Sequence, residues 1–281
     1  MYEDFEFPFD GLREDAEVAR ELESVLIGAV RRCVSTEKKC ALFYSGGLDS
    51  TVVAKILHDL GTGLTAYVAG IAGSPDVMAA KKAAAEIGFD VKTILLKQEE
   101  VQELVKAAAW ITKGSDPITI GVSVPLYAAA REAAKDDYRM IFSGAGSDEL
   151  FAGYDSHARA LEKGWQAVHN ECIQRIHHGI NRDIARDISI CSHFGLESKA
   201  PFLDMDVVRL AMSTHPRLKI STGQNKLLLR QIANAIGIPK EISERKKKAA
   251  QYGSGVSKVL RKISRQQGFR DSGAYLSAKS V

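Results

Sequence analysis

Residues 40–57 constrain this chain more than any other stretch. Cys40-Ala41-Leu42-Phe43-Tyr44 is an unbroken apolar run and reads as a buried strand. Thr51-Val52-Val53-Ala54-Lys55-Ile56-Leu57 reads as the first turns of a helix. Between them lies Ser45-Gly46-Gly47-Leu48-Asp49-Ser50. A strand, a two-glycine turn and a helix N-terminus form a cradle for phosphate. The glycines let the backbone approach an anion closely and take positive φ. Ser45, Ser50 and Thr51 add hydroxyl donors, and the free N–H groups and dipole of the helix favour negative charge. The plainer alternative is a strand-to-helix turn whose glycines serve geometry alone.

A Walker A loop places Lys directly before its Ser/Thr, within reach of the β- and γ-phosphates. Here Asp49 takes that position. A carboxylate beside a phosphate cradle repels the ligand unless a cation intervenes, so Asp49 reads as a Mg²⁺ ligand. The six residues resemble the PP-loop of ATP pyrophosphatases, enzymes that split ATP into AMP and pyrophosphate.

The flanking sequence alternates helices and strands. Residues 15–35 carry Val18, Leu22, Val25, Leu26, Ala29 and Val30 at helical spacing. Strands are expected at 64–69, 91–96 and 139–142. Ser74-Pro75-Asp76 starts a helix with a Ser N-cap, Pro at the first position and an acid in the first turn. Further helices are expected at 99–111 and at 123–135, the latter with Pro125 in its first turn. This alternation predicts an α/β fold, a doubly wound parallel sheet with helices on both faces and a mainly helical C-terminal part. Ligands of such sheets sit beyond the carboxyl ends of the strands. Downstream of Glu149 strand signals fade, and 158–186 and 204–236 look mainly helical. Three segments result: an N-terminal arm and helix (1–36), the α/β domain (37–255) and a basic tail (256–281), with residues 260–281 expected to be loosely ordered.

Composition excludes several classes. Lys plus Arg number 38 against 35 Asp plus Glu, and a net charge of +3 is too small to argue for nucleic acid. The first ten residues hold Glu3, Asp4, Glu6 and Asp10 and no base, the reverse of a signal peptide. No apolar run approaches the ~18 residues that span a membrane. Cys33, Cys40, Cys172 and Cys191 form no CxxC pair and read as thiols in a reducing cytosol. The seven histidines show no metal-site spacing.

A second constellation repeats the logic of the first. In Ser143-Gly144-Ala145-Gly146-Ser147-Asp148-Glu149-Leu150-Phe151-Ala152-Gly153-Tyr154 a strand ends in glycines, and a hydroxyl and two acids open a helix. Asp148 can face Asp49 across the sheet edge and complete a Mg²⁺ site of oxygen ligands. Alone, it would read as an N-cap with acids in the first turn.

These motifs, with 195–204 (Gly-Leu-Glu-Ser-Lys-Ala-Pro-Phe-Leu-Asp), 226–230 (Lys-Leu-Leu-Leu-Arg) and Arg245-Lys246-Lys247-Lys248 before Gln251-Tyr252-Gly253, recur in this order in asparagine synthetases. The chain therefore resembles the synthetase domain of that family over about 22–255. β-Lactam and carbapenam synthetases share the domain. The resemblance implies that a carboxylate attacks the α-phosphorus of ATP to give an acyl-adenylate and pyrophosphate. Ammonia then displaces AMP to leave an amide. It implies ATP and Mg²⁺ as cofactors, with Ser45 to Ser50 and Ser143, Gly144, Gly146 and Ser147 binding the nucleotide. Asp49 and Asp148 are the implied metal ligands, and Lys247, Lys226, Glu197 and Asp204 the implied catalytic set. Lys226 and Arg230, four apart, would face the phosphates together. Alternatives stay open: 245–248 as a solvated basic run, Lys226 and Arg230 as surface pairing, Glu197 as an ion pair with Lys199.

The sequence departs from the family at three places. Tyr2 stands where the glutaminase nucleophile follows the initiator Met, so free ammonia, a separate glutaminase subunit or another amine is the expected nitrogen source. Ala145 replaces an acid associated with amide formation. Gly121 takes the place of an Arg near the reacting carboxylate. Aspartate is the favoured acceptor, with another small carboxylate or a PP-loop RNA-modifying activity as alternatives. No membrane partner is expected, a nucleic-acid partner is disfavoured, and a homodimer is left open.

Overall fold

The computed structural model describes residues 14–34, 39–114, 116–245 and 250–279. Helix α1 (Asp15–Cys33) leads into β1 (Lys39–Phe43), α2 (Leu48–Asp59), β2 (Gly63–Gly70), α3 (Pro75–Ile87) and β3 (Asp90–Leu95). Then come α4 (Gln98–Thr112), α5 (Pro117–Lys135), β4 (Met140–Phe142), α6 (Ser147–Leu150), α7 (Asp155–Leu161) and α8 (Trp165–Gly179). A π-helical turn (Ile180–Ile184) joins α8 to α9 (Ala185–His193), followed by β5 (Glu197–Lys199), a 3₁₀ turn (Pro201–Leu203) and α10 (Met205–Ser213). The chain closes with the hairpin β6 (Ile220–Ser221) and β7 (Gln224–Asn225), then α11 (Leu227–Ala235), α12 (Lys240–Ser243), α13 (Ala250–Gly253), α14 (Val256–Gln266) and α15 (Ser272–Lys279).

Five strands pair in parallel in the order β3-β2-β1-β4-β5. The register sets Ala41 opposite Ile141, Phe43 opposite Tyr67 and Phe142 opposite Lys199. Strand alternation splits β1 between two cores: Cys40 and Leu42 face one hydrophobic cluster, Ala41 and Phe43 the other. The first cluster takes the apolar stripes of α1, α2, α3, α10 and α11. The second takes those of α4, α5, α14 and α15. Burial on both faces is why the strands read as continuous apolar runs. The β1-to-α2 and β4-to-α6 loops leave the same edge of adjacent strands, which brings the two glycine-rich motifs together.

Three expectations change. Helix α5 begins at Pro117, not near 123: Asp116 caps it, accepting hydrogen bonds from the N–H groups of Ile118 and Thr119 at 3.0 and 2.9 Å. Pro125 is tolerated inside that helix. A fifth strand, β5, lies beyond the point where strand signals fade; three residues in an edge strand carry no periodicity to read. The described part of the basic C-terminal stretch is helical, as α14 and α15. Val256, Leu260 and Ile263, spaced four and three apart, bury one face of α14, and Tyr275 and Leu276 anchor α15 in the same core. Among the described residues no helix is long and apolar enough to cross a membrane. All four cysteines are free thiols.

Candidate active site

Asp49 lies in the first turn of α2 with its carboxylate buried. The loop before it is tied from within. Ser45 N–H donates to Ser50 Oγ at 3.5 Å, and that hydroxyl donates to the Gly47 carbonyl at 3.3 Å. Gly46 takes φ +62°, and any Cβ there would overlap the main chain of Ala79 and Ala80 in α3. Leu48 turns into the core. The loop is thus seated directly on α3, with its backbone rather than side chains facing the helix.

The second loop docks on the first. Gly144 backs onto Asp49, where a Cβ would stand 2.8 Å from Asp49 Cβ. Ser143 N–H bonds the Lys199 carbonyl at 2.9 Å and holds the loop to β5. Gly146, at φ +92°, precedes α6. From α6, Ser147 Oγ donates to Asp49 Oδ1 at 2.8 Å. Asp148, next in sequence, is the more open acid, its side chain 31% exposed.

Lys226 closes the group. Its Nζ lies 2.5 Å from Asp49 Oδ1 and 2.6 Å from Asp148 Oδ1, with the side chain 7% exposed. Burial works against its charge, but the Asp148 and Asp49 carboxylates outweigh it and hold the ammonium above the usual lysine range. Lys226 is not on a helix face. It sits at φ +55° just before α11, while Arg230 turns away to the main-chain carbonyls of Asn225 and Ser243. The joint Lys226–Arg230 phosphate contact is therefore corrected: Arg230 clamps the approach to α11.

Three residues that lie within the motifs but carry no individual role in the sequence analysis complete the site. Arg245, beyond α12, donates from Nη2 to the Ser45 carbonyl at 3.4 Å, and its Nε is buried without a partner. Gly153 is packed so tightly that a Cβ would overlap Asp148 Oδ1 and Lys226 Cε. Glu149 faces away from Asp148, buried against Gly179, and accepts from Tyr154 Oη at 2.6 Å. Burial and the neighbouring Asp148 charge push the Glu149 carboxyl up to about 7, against the pull of Tyr154. A tandem of two acids was the available signal, since one residue of the pair must point inward.

Two of the implied catalytic residues lie elsewhere. Asp204 caps α10, accepting from Asp206 N–H at 3.0 Å, and forms a two-pronged ion pair with Arg32. The 3₁₀ turn before it packs Phe202 and Leu203 against Gly146 of the second loop, while the Asp204 carboxylate itself is engaged by Arg32 and the α10 cap. Glu197 opens β5 and pairs with Lys199, its side chain 66% exposed. That is the ion-pair alternative, and it stands two residues before the strand's carboxyl end. Lys247 lies outside the described residues.

Among the described residues no three His, Cys, Asp or Glu side chains gather as a metal site. The two carboxylates that converge on one cation are nevertheless the donor set Mg²⁺ uses, one or two acids with the remainder supplied by substrate phosphates and water. The residues fit that ion.

The family model described as asparagine synthase matches residues 21–169 and 159–278. The chain belongs to the asparagine synthase family. Asparagine synthetase B [glutamine-hydrolyzing] of Escherichia coli is 26% identical over 93% of this chain and 50% of its own length. The asparagine synthetase of Gallus gallus is 31% identical over 82% of this chain and 42% of its own. The chain spans about half the length, or less, of such asparagine synthase relatives. Among solved structures, NMN synthetase from Francisella tularensis aligns over 96% of this chain and 94% of its own, with 10% identity and a TM-score of 0.47.

Proposed function

We propose that this chain is an ATP-dependent, AMP-forming ligase that adenylates a carboxylate and transfers ammonia to it, with aspartate the favoured acceptor. The observation that carries the reading is the convergence of Asp49, Ser147, Asp148 and Lys226, from three separate segments, at the carboxyl edge of the sheet beside the glycine loop. Asp49 and Asp148 would hold Mg²⁺, whose chemistry when bound is to neutralise charge developing on pyrophosphate.

The chain's own residues divide the remaining work. The backbone N–H groups after Ser45 and at the start of α2 suit the phosphates. Lys226 and Arg245 supply positive charge on two sides of that loop. An acceptor carboxylate oxygen attacks the α-phosphorus and pyrophosphate departs. The amine then attacks the acyl carbon and AMP departs. Losing one preorganised donor in such a site costs about 3–4 kcal/mol of transition-state stabilisation.

The side chains at Ala145 and Gly121, which the resemblance places beside the acceptor, offer no hydrogen bond or charge, which favours, as a second reading, a relative that amidates a different small carboxylate. The deciding experiment measures AMP and pyrophosphate release from ATP–Mg²⁺ across a panel of carboxylates, with and without ammonium or a separate glutaminase. Asparagine formed together with AMP supports the leading reading. Adenylation of another carboxylate supports the second. No AMP with any acceptor refutes both. Asp49→Asn is expected to abolish AMP release while the protein stays folded.

A further inference from the structure

Lys226 is held more firmly than a phosphate-binding lysine requires. Its backbone occupies the left-handed region at φ +55°, which a non-glycine residue keeps only where its surroundings impose it. The segment is pinned on both sides: Leu227 N–H bonds the Lys219 carbonyl at 2.9 Å, and the Asn225 side-chain amide donates to the Gly153 carbonyl at 2.9 Å. Its stem runs against Gly153, and its ammonium lies between Asp49 Oδ1 and Asp148 Oδ1. Those are the two acids assigned above to the divalent cation.

We infer that Lys226 is a cation gate: its ammonium and a divalent metal ion compete for the same two carboxylate oxygens, and the ion enters only with phosphates that draw the ammonium away. The inference rests on the ATP–Mg²⁺ reading of this site. Two carboxylates and one ammonium leave a single net negative charge. A doubly charged ion at the same oxygens would stand beside the ammonium in a buried place, where like charges repel with little screening. A polyphosphate removes the conflict, because its oxygens accept the ammonium and its charge balances both cations. Metal and nucleotide then raise each other's affinity by the same factor. In the absence of nucleotide the gate also keeps the two acids from acting as an open trap for other divalent ions.

The test uses Mn²⁺ as the probe, with the full chain and no nucleotide, following free Mn²⁺ by electron paramagnetic resonance and protein stability by thermal melting. Lys226→Met is expected to bind Mn²⁺ roughly 5- to 150-fold more tightly than the parent protein, the range of a typical coupling. Its melting midpoint should rise at Mn²⁺ concentrations that leave the parent's unmoved. A variant that folds only when Mn²⁺ is supplied supports the gate as well. Equal Mn²⁺ affinity in the two proteins overturns it, and so does a variant that stays unfolded with Mn²⁺, because carboxylates able to hold the ion would be paired by it. A parallel arm adds an ATP analogue with a non-cleavable α,β bridge. Failure of both proteins to bind Mn²⁺ even then removes the metal assignment itself, a different outcome from equal affinities.

Discussion

Gly153→Ala tests whether the site depends on close packing. The added Cβ would overlap Asp148 Oδ1 and Lys226 Cε and would stand 2.9 Å from Asp148 Cα. The two side chains can rotate, but the Cα cannot. Keeping the ion pair forces a main-chain shift of about half an ångström, since carbon contacts relax near ~3.5 Å. Overpacking of that kind costs about 1–3 kcal/mol. Swinging Asp148 aside instead strips one of two carboxylate partners from a buried ammonium that keeps Asp49, at about 1.5–3 kcal/mol. The cheaper route sets the outcome, so the expected loss is about 2–3 kcal/mol, and the melting midpoint should fall by ~2–4 °C for each. The same misplacement felt in the transition state reduces AMP release by roughly 30- to 150-fold. Gly61→Ala is the control. Gly61 sits at φ +70°, which Gly153 does not share, but nothing lies within 4 Å of its Cβ, so the substitution carries backbone strain alone and should leave the rate unchanged. Gly153→Ala with a rate within about threefold of the parent, a barrier change under ~0.7 kcal/mol, would refute the claim that packing holds Asp148 and Lys226 in place.

Other expectations concern titratable groups in the interior. Lys219 is wholly buried, with its Nζ 3.9 Å from Met212 Sδ, and burial depresses its pKa. The folded state binds this proton less readily than the unfolded one, so stability should rise as pH climbs toward the unfolded value near ~10.4; Lys219→Met should add about 1–3 kcal/mol at pH 7 and flatten that slope in urea melts. His157 is buried and neutral, accepting from Tyr154 N–H at 3.2 Å, and burial lowers its pKa from 6.5 to about 4. Stability should fall by about 3 kcal/mol as pH drops from 6.5 through 4, and His157→Asn should lack that acid-side loss. Glu149 has the opposite sign. With its pKa raised from 4.5 to about 7, ionisation weakens the fold, so stability should increase as pH falls from 7 toward 4.5. Glu149→Gln, measured at pH 8 against pH 5, should gain most at pH 8.

Much of the nucleotide side was legible in the sequence because its parts are short and contiguous. Ser45 to Ser50 and Ser143 to Asp148 each join a strand to a helix, and the parallel sheet fixes where such junctions lie. What long-range packing decides was not legible. Lys226 looked like one residue of a helical i, i+4 pair, but a left-handed backbone placed it outside the helix and parted it from Arg230. Asp204 follows an apolar turn that resembles a substrate wall, yet its partner is Arg32, 172 residues away. The start of α5 was readable from Asp116-Pro117, and Pro125 drew attention from it. The C-terminal helices were masked by basic residues on their outer faces, although the apolar spacing of Val256, Leu260 and Ile263 was there to see.

The long separations inside the site have a consequence for synthesis. Ser147 is 98 residues beyond Asp49, and Lys226 is 177 residues beyond it. A ribosome releases the glycine loop early and the lysine that closes it only after most of the chain has emerged. Through that interval the Asp49–Lys226 pair cannot form, and contacts of such sequence separation are slow to form. The docking of β6, β7 and α11 is then a late event in biogenesis. Truncation before residue 226 removes the lysine that bridges the two acids at that sheet edge.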